Sequence, residues 1–270
     1  MKFLPVARTA HSLSRSLAAA LLIGLAVGVT PTTVGAANRY PVGVPNPSEP
    51  SGMAPPLIGA LPGYSLDYIS DFNGSGLPKG WYKFQGIPGG DPSGQFSARH
   101  VLVNGGLLRL KTYQDPQFAG HWVTGGVCQC GHPSTYGAYF VRSRLTGAGP
   151  NSVELLWPRD NTWPPEIDFN ETLSHSNLTT ATVHWTDKTN FYIMRIDMTR
   201  WHTWGVVWTP HYVLDLVDGH PWHEFAITNK SLDVPMRLDF EQRTSCPSTT
   251  RCPSVASSML IDWVVEYRPS

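Results

Sequence analysis

From about residue 64 onward the chain is built of short apolar or alternating runs, and a 3.6-residue apolar period is hard to find. Examples are "HVLVNGGLLRLKTY", "YGAYFVRSRLTG", "TATVHWT", "HTWGVVWT", "YVLDLVDGHPWHEF" and "SMLIDWVVEY". Gly, Pro, Asn and Asp punctuate them, which is the pattern of strands joined by turns. Asn104-Gly105 and Asp218-Gly219 suit type I′ hairpins, whose two central residues both need positive φ. Roughly ten or more such strands in about 205 residues predict an all-β sandwich. No repeat of about 20 to 50 residues is visible, which argues against a propeller or solenoid.

The first 63 residues break this pattern in two steps. Lys2, Arg8 and Arg15 precede the apolar run Leu17 to Val29, which is followed by the small residues Val34-Gly35-Ala36-Ala37. At 13 residues the run is short of the roughly 20 needed to span a bilayer, so 1–37 reads as an export signal cleaved near Ala36 or Ala37. The other reading is an uncleaved anchor. Residues 38–63 hold seven prolines and few large apolar side chains, and predict an extended, weakly structured linker. One folded domain, 64–270, remains. Without its leader the chain carries 17 Lys+Arg against 20 Asp+Glu. That mild acidity excludes a nucleic-acid footprint and suits a neutral partner.

Charge then becomes interesting in one place. "WPPEIDFNE" sets Glu166, Asp168 and Glu171 among strand-forming Ile167 and Phe169. A solvated strand face would explain it without function. Strand side chains alternate, so Glu166 and Asp168 share a face while Glu171 falls out of step. One extra residue, a β-bulge, would return Glu171 to that face. Three carboxyls together raise at least one pKa. A protonated acid beside an ionised carboxylate is what glycoside cleavage uses. A hard cation such as calcium could sit on the same trio, but no Asx- and Gly-rich loop accompanies it.

"EIDFNE" is similar to the E-x-D-x-x-E signature of glycoside hydrolase family 16. The resemblance continues in order through "ISDFNGSGLPKGWYKF", "TGGVCQCG", "YGAYFVRSRL", "LLWPRDNTWPPEIDFNE", "TVHWT", "WHTWGVVWTP" and "MLIDWVVEYRP", about Asp67 to Pro269. It implies a concanavalin-like jelly-roll sandwich of two curved antiparallel sheets, with a polysaccharide cleft on the concave face. It further implies a retaining endo-β-glucanase acting on β-1,3- or mixed β-1,3/1,4-glucan. Glu166 would be the nucleophile, Glu171 the general acid/base, and Asp168 a hydrogen-bonding partner that sets the charge of Glu166. Relatives often have Gly where this chain has Pro165, which could alter the cleft wall. Two other readings stay open: transfer or hydrolysis on another β-linked polysaccharide, and a non-catalytic glycan-binding module.

Other residues complete the expectations. Ten Trp in the chain suit either a sandwich core or sugar contact. The resemblance favours His184 in the cleft with Trp185 turned to the core. Trp157, Trp163 and Trp122 are candidate sugar contacts. His220 and His223 read as a hairpin loop rather than metal ligands. The sequon Asn170-Glu171-Thr172 reads as chance. No cofactor is required; relatives often hold a structural calcium, to which Asp71 and Asp262 could contribute. Cys246–Cys252 is the expected disulfide, a Cys128–Cys130 bridge looks strained, and zinc is the alternative. A secreted monomer acting on polysaccharide, away from membranes once the signal is cleaved, is the partner and localisation reading.

Overall fold

The structure is a computed structural model that describes residues 40–244, 246 and 252–270. The expected export signal lies outside the described residues. Two sheets form a jelly-roll sandwich, and all strand pairing within them is antiparallel.

The first sheet carries the site. Its order is β13 (Thr189–Met194), β12 (Thr179–His184), β11 (Glu166–Glu171), β10 (Asn151–Pro158), β17 (Met236–Arg243), β8 (Gly126–Cys128) and β4 (Tyr82–Lys83). The second sheet runs β16 (His220–Ala226), β15 (Tyr212–Val217), β14 (His202–Trp208), β9 (Gly137–Leu145), β18 (Ser257–Pro269), β6 (Leu107–Asp115) and β5 (Val101–Asn104). β3 (Tyr64–Ser70) joins the later half of β18, and β7 (His121–Val123) joins β6.

Alternation explains the sandwich. Inward residues such as Ile167, Phe169, Val183, Leu238 and Phe240 of the first sheet meet Val141, Trp204, Val206, Ile261 and Val264 of the second. Burying this apolar surface is the main stabilising term. Asp218-Gly219 forms its two-residue hairpin as expected, with φ of 48° and 80°. The other turn is displaced by one residue. Asn104 pairs with Leu107, and Gly105-Gly106 take the positive φ values, 58° and 71°. His220 and His223 lie on strand β16, not in a loop, and His223 stacks on Tyr192 with centroids 4.3 Å apart.

Residues 40–63 are not the weakly structured linker expected of them. They form a short hairpin, β1 (Val44–Pro45) with β2 (Met53–Ala54), and lie across the outer face of the second sheet. The Trp263 indole N–H donates to Met53 O at 2.9 Å, Thr203 Oγ1 donates to Val42 O at 2.9 Å, and Leu61 is buried. The cause is a second apolar face. Phe140, Leu216, Trp263 and Val265 point away from the sandwich interior and need cover. Prolines limit the strap to strands of two residues without preventing it from packing.

Both cysteine pairs are bonded. Cys246–Cys252 forms as expected, and Cys128–Cys130 closes on itself with Cα atoms 5.0 Å apart, against expectation. The zinc alternative goes with it. Among the described residues no helix is long and apolar enough to cross a membrane.

Glu154 of β10 points between the sheets, and burial pushes its carboxyl up to about 8, against which the Ser143 hydroxyl and the Asn170 amide work. A raised folded pKa means that the native state holds a proton the unfolded chain has lost. Stability is therefore full below the ordinary carboxyl pKa of 4.5 and lost as pH rises through about 8. Relative to Glu154→Gln, the native chain is expected to lose about 1.4 kcal/mol per pH unit across that window. Urea unfolding at several pH values measures it; parallel stability curves for the two proteins would refute it.

Candidate active site

The bulge predicted from the acidic stretch is present. Against β12, Asp168 pairs with Thr182 and Glu171 with Thr180, so Phe169 and Asn170 together face one residue, Ala181. Against β10, Leu155 pairs with Asp168 and Glu154 with Asn170. Phe169 and Asn170 are both buried, and Glu171 returns to the face of Glu166 and Asp168. All three carboxyls line one cavity of about 440 Å³, with Trp157, Trp163, His184 and Asn151.

Strand register turns the cleft floor into a grid. One row reads Asp239, Leu155, Asp168, Thr182, Phe191; the next reads Glu241, Val153, Glu171, Thr180, Ile193. Neighbouring strands lie about 4.8 Å apart, so Phe191 sits about 10 Å from the acids on their own face. It is 62% exposed.

Each acid has distinct partners. The Trp163 indole N–H donates to Glu166 Oε2 at 2.7 Å. His184 Nε2 lies 3.3 Å from Asp168 Oδ2 and 3.7 Å from Glu166 Oε2. Asn151 Nδ2 donates to Glu171 Oε1 at 2.8 Å, and Thr180 Oγ1 donates to Glu171 Oε2 at 3.4 Å. Burial, then the neighbouring Asp168, pushes the Glu166 carboxyl up, while His184 and the Trp163 N–H pull it down. Burial, then Glu171 and Glu241, pushes Asp168 well above the usual carboxylate range. Both carboxyls are thus pushed the same way, upward, because burial and a neighbouring carboxyl each disfavour the charged form.

The other expected residues fall as follows. Trp185 is buried in the core and His184 faces the cleft. Trp163 is 55% exposed and its ring lies 5.6 Å from that of His184. Trp122 does not line the cavity of the acids; it borders a separate groove with Ile87, Pro92 and Phe118. Pro165 sits just before β11 and leaves the carboxyls in register. Asn170 is buried, so the sequon is no glycan acceptor in the folded chain.

Among the described residues, three-residue groups with ligand atoms within 4.8 Å are Asp67, His132, Glu266 and Glu166, Asp168, His184. Neither contains Asp71 or Asp262. Asp71 Oδ1 accepts from Asn73 N at 3.3 Å, and Asp262 Oδ2 accepts from Ser51 N of the strap at 3.1 Å.

Sequence reading missed the β17 side of the floor. Arg237, Asp239, Glu241 and Arg243 are consecutive same-face residues in "MRLDFEQR". Arg237 Nε donates to Asp239 Oδ1 at 3.1 Å, and Arg243 sits against Glu241. Four charges at a period of two were the available signal, and the structure buries three of them, Arg237, Asp239 and Glu241, which a merely solvated face would not do.

The comparisons with known proteins agree with this geometry. The model for glycosyl hydrolases family 16 matches residues 93–263. The chain belongs to that family. It is thus a glycoside hydrolase, acting on O-glycosyl bonds. Solved structures share the fold of this family 16 chain. The catalytic domain of an endo-1,3-β-glucanase (laminarinase) from Thermotoga petrophila RKU-1 is 18% identical, with TM-score 0.68 over 77% of this chain and 98% of that one. A laminarinase from Rhodothermus marinus is 20% identical, with TM-score 0.65 over 76% and 97%. A family 16 protein of the Bacteroides ovatus mixed-linkage glucan locus, solved with a G4G4G3G product, is 18% identical, with TM-score 0.64 over 74% and 99%. No curated protein matches the chain in sequence.

Proposed function

We propose that this family 16 chain is an exported endo-β-glucanase that hydrolyses internal bonds of β-1,3- or mixed β-1,3/1,4-glucan with retention. The observation that carries the reading is the convergence of Glu166, Asp168 and Glu171 on one cleft face beside Trp157 and Trp163. A pure binding surface has no use for buried acids that raise one another's pKa. The glucanase and laminarinase neighbours support glucan as the class of substrate.

In the first step the Glu166 carboxylate attacks the anomeric carbon. The glycosidic C–O bond breaks, and the leaving oxygen takes the proton of Glu171. In the second step Glu171 takes a proton from water, water oxygen bonds the anomeric carbon, and Glu166 departs. Asp168, whose neutral form burial favours, donates a hydrogen bond to the ionised Glu166. The Trp163 N–H and His184 favour that charge. Trp157 and Trp163 offer apolar ring faces to sugar C–H groups. Export rests on the leader and is compatible with two disulfides.

Purified protein should release new reducing ends from laminarin or lichenan, and none from agarose, galactan or xyloglucan. Turnover confined to one of the latter three would reassign the substrate. Glucan binding with no turnover would establish the non-catalytic module instead.

A further inference from the structure

The bulge that aims Glu171 has a polar backing that the reaction scheme leaves unused. Asn170, the second of the two bulge residues, turns into the sandwich and is 2% exposed. Its Oδ1 accepts from Thr179 Oγ1 at 2.6 Å, and the same hydroxyl lies 3.2 Å from Glu171 O. Directly across the strand pair stands Glu154, which is fully buried. Ser143 Oγ of the opposite sheet donates to Glu154 Oε1, and the Asn170 side chain, paired across the strands, interacts favourably with the Glu154 carboxyl. Four polar side chains therefore bridge the two sheets behind the catalytic strand.

This arrangement is expensive in a sandwich core. Apolar residues of similar volume would fill the space without desolvating a carboxyl, an amide and two hydroxyls. What a buried polar network supplies is a single permitted arrangement. Here that arrangement decides which residues oppose Ala181, and hence whether Glu171 emerges on the cleft face. A strand slip of one residue would carry Glu171 to the other face. An apolar Asn170 or Glu154 would leave that slip unopposed from behind.

We infer that Ser143, Glu154, Asn170 and Thr179 form a positioning network that fixes the bulge and thereby aims Glu171, with Glu154 and Asn170 as its central positioning residues. The inference rests on the reading of Glu171 as proton donor to the leaving oxygen.

The test exploits that proton. Wild-type, Glu154→Leu and Glu154→Gln proteins are compared on the preferred glucan and on the 2,4-dinitrophenyl β-glycoside of its repeating disaccharide, whose leaving group needs no protonation. In Glu154→Leu, kcat on glucan should fall about 10- to 100-fold with KM within about twofold, while kcat/KM on the aryl glycoside falls less than about threefold. Glu154→Gln, which keeps size and hydrogen bonding, should return kcat on glucan to within about threefold of wild type. Asn170→Leu added to Glu154→Leu should cost little more than either alone, since both act through one bulge. Unchanged kcat on glucan, or equal losses on the two substrates, would overturn the inference. Should Glu154→Leu fail to fold by circular dichroism, Thr179→Val decides: a folded Thr179→Val with wild-type turnover on glucan sinks the network. Wild-type turnover of either substrate is the separate control for the functional reading; activity on neither would overturn that reading and this inference together.

Discussion

Glu166→Gln is expected to lower turnover of β-glucan by roughly 10⁴- to 10⁶-fold, the scale on which removing an essential nucleophile acts in well-studied hydrolases. The amide has the size and shape of the carboxyl, so the Trp163 N–H keeps an acceptor and the cleft keeps its form. What disappears is the negative charge that makes the oxygen a nucleophile toward the anomeric carbon. The fold should not suffer. Glu166 is pushed up by burial and by Asp168, so a neutral side chain relieves repulsion instead of breaking a favourable pair. Thermal unfolding should therefore occur at or above the wild-type temperature. Glucan should still bind, with a dissociation constant near the wild-type value. Rates from reducing-end release and affinity from calorimetry check the two halves separately. A folded Glu166→Gln protein that retains turnover would remove Glu166 from the chemistry.

The contrast between this strand and the rest of the chain shows what a sequence can reveal. The bulge was legible because period two is strict: an acid at an odd offset from two others either leaves the face or requires an extra residue. The sandwich was legible because alternating runs leave few alternatives. Three things were hidden by long-range context. The strap over residues 40–63 looked like a linker because its prolines were weighed without the outward apolar face of Phe140, Trp263 and Val265 that it covers. The Cys128–Cys130 bond depends on how the chain turns at Gln129 as it leaves β8, which spacing does not report. Trp122 looked like a cleft residue by its chemistry, but β7 pairs with β6 and puts the ring on another groove. The Arg237 to Arg243 alternation was visible in the sequence; its importance becomes clear only when Val153 and Leu155 are seen to set Glu241 and Asp239 in the same rows as Glu171 and Asp168.

Glu171→Ala is the second large effect, and its signature is selective. Loss of proton donation should lower turnover of glucan by about 10²- to 10⁴-fold, the usual worth of a positioned general acid. The variant should fold, because Asn151 Nδ2 and the Thr180 hydroxyl lose a partner at a cleft open to water. A dinitrophenyl β-glycoside needs no proton to leave, so its first step should proceed at nearly the wild-type rate. The second step should not, because water has lost its base, and glycosyl-enzyme should accumulate behind a burst of dinitrophenolate. Azide needs no base and fits the space of the missing carboxyl. Adding it should restore turnover and yield the β-glycosyl azide, the configuration left by two successive displacements at the anomeric carbon. Mass spectrometry of the burst complex should then locate the sugar on Glu166. An α-glycosyl azide would mean that the anion attacks the substrate directly in place of a lost nucleophile, which overturns the assignment of Glu171 as general acid/base. Equal losses on both substrates, without rescue, would mean that Glu171 holds the cleft together and does not donate the proton.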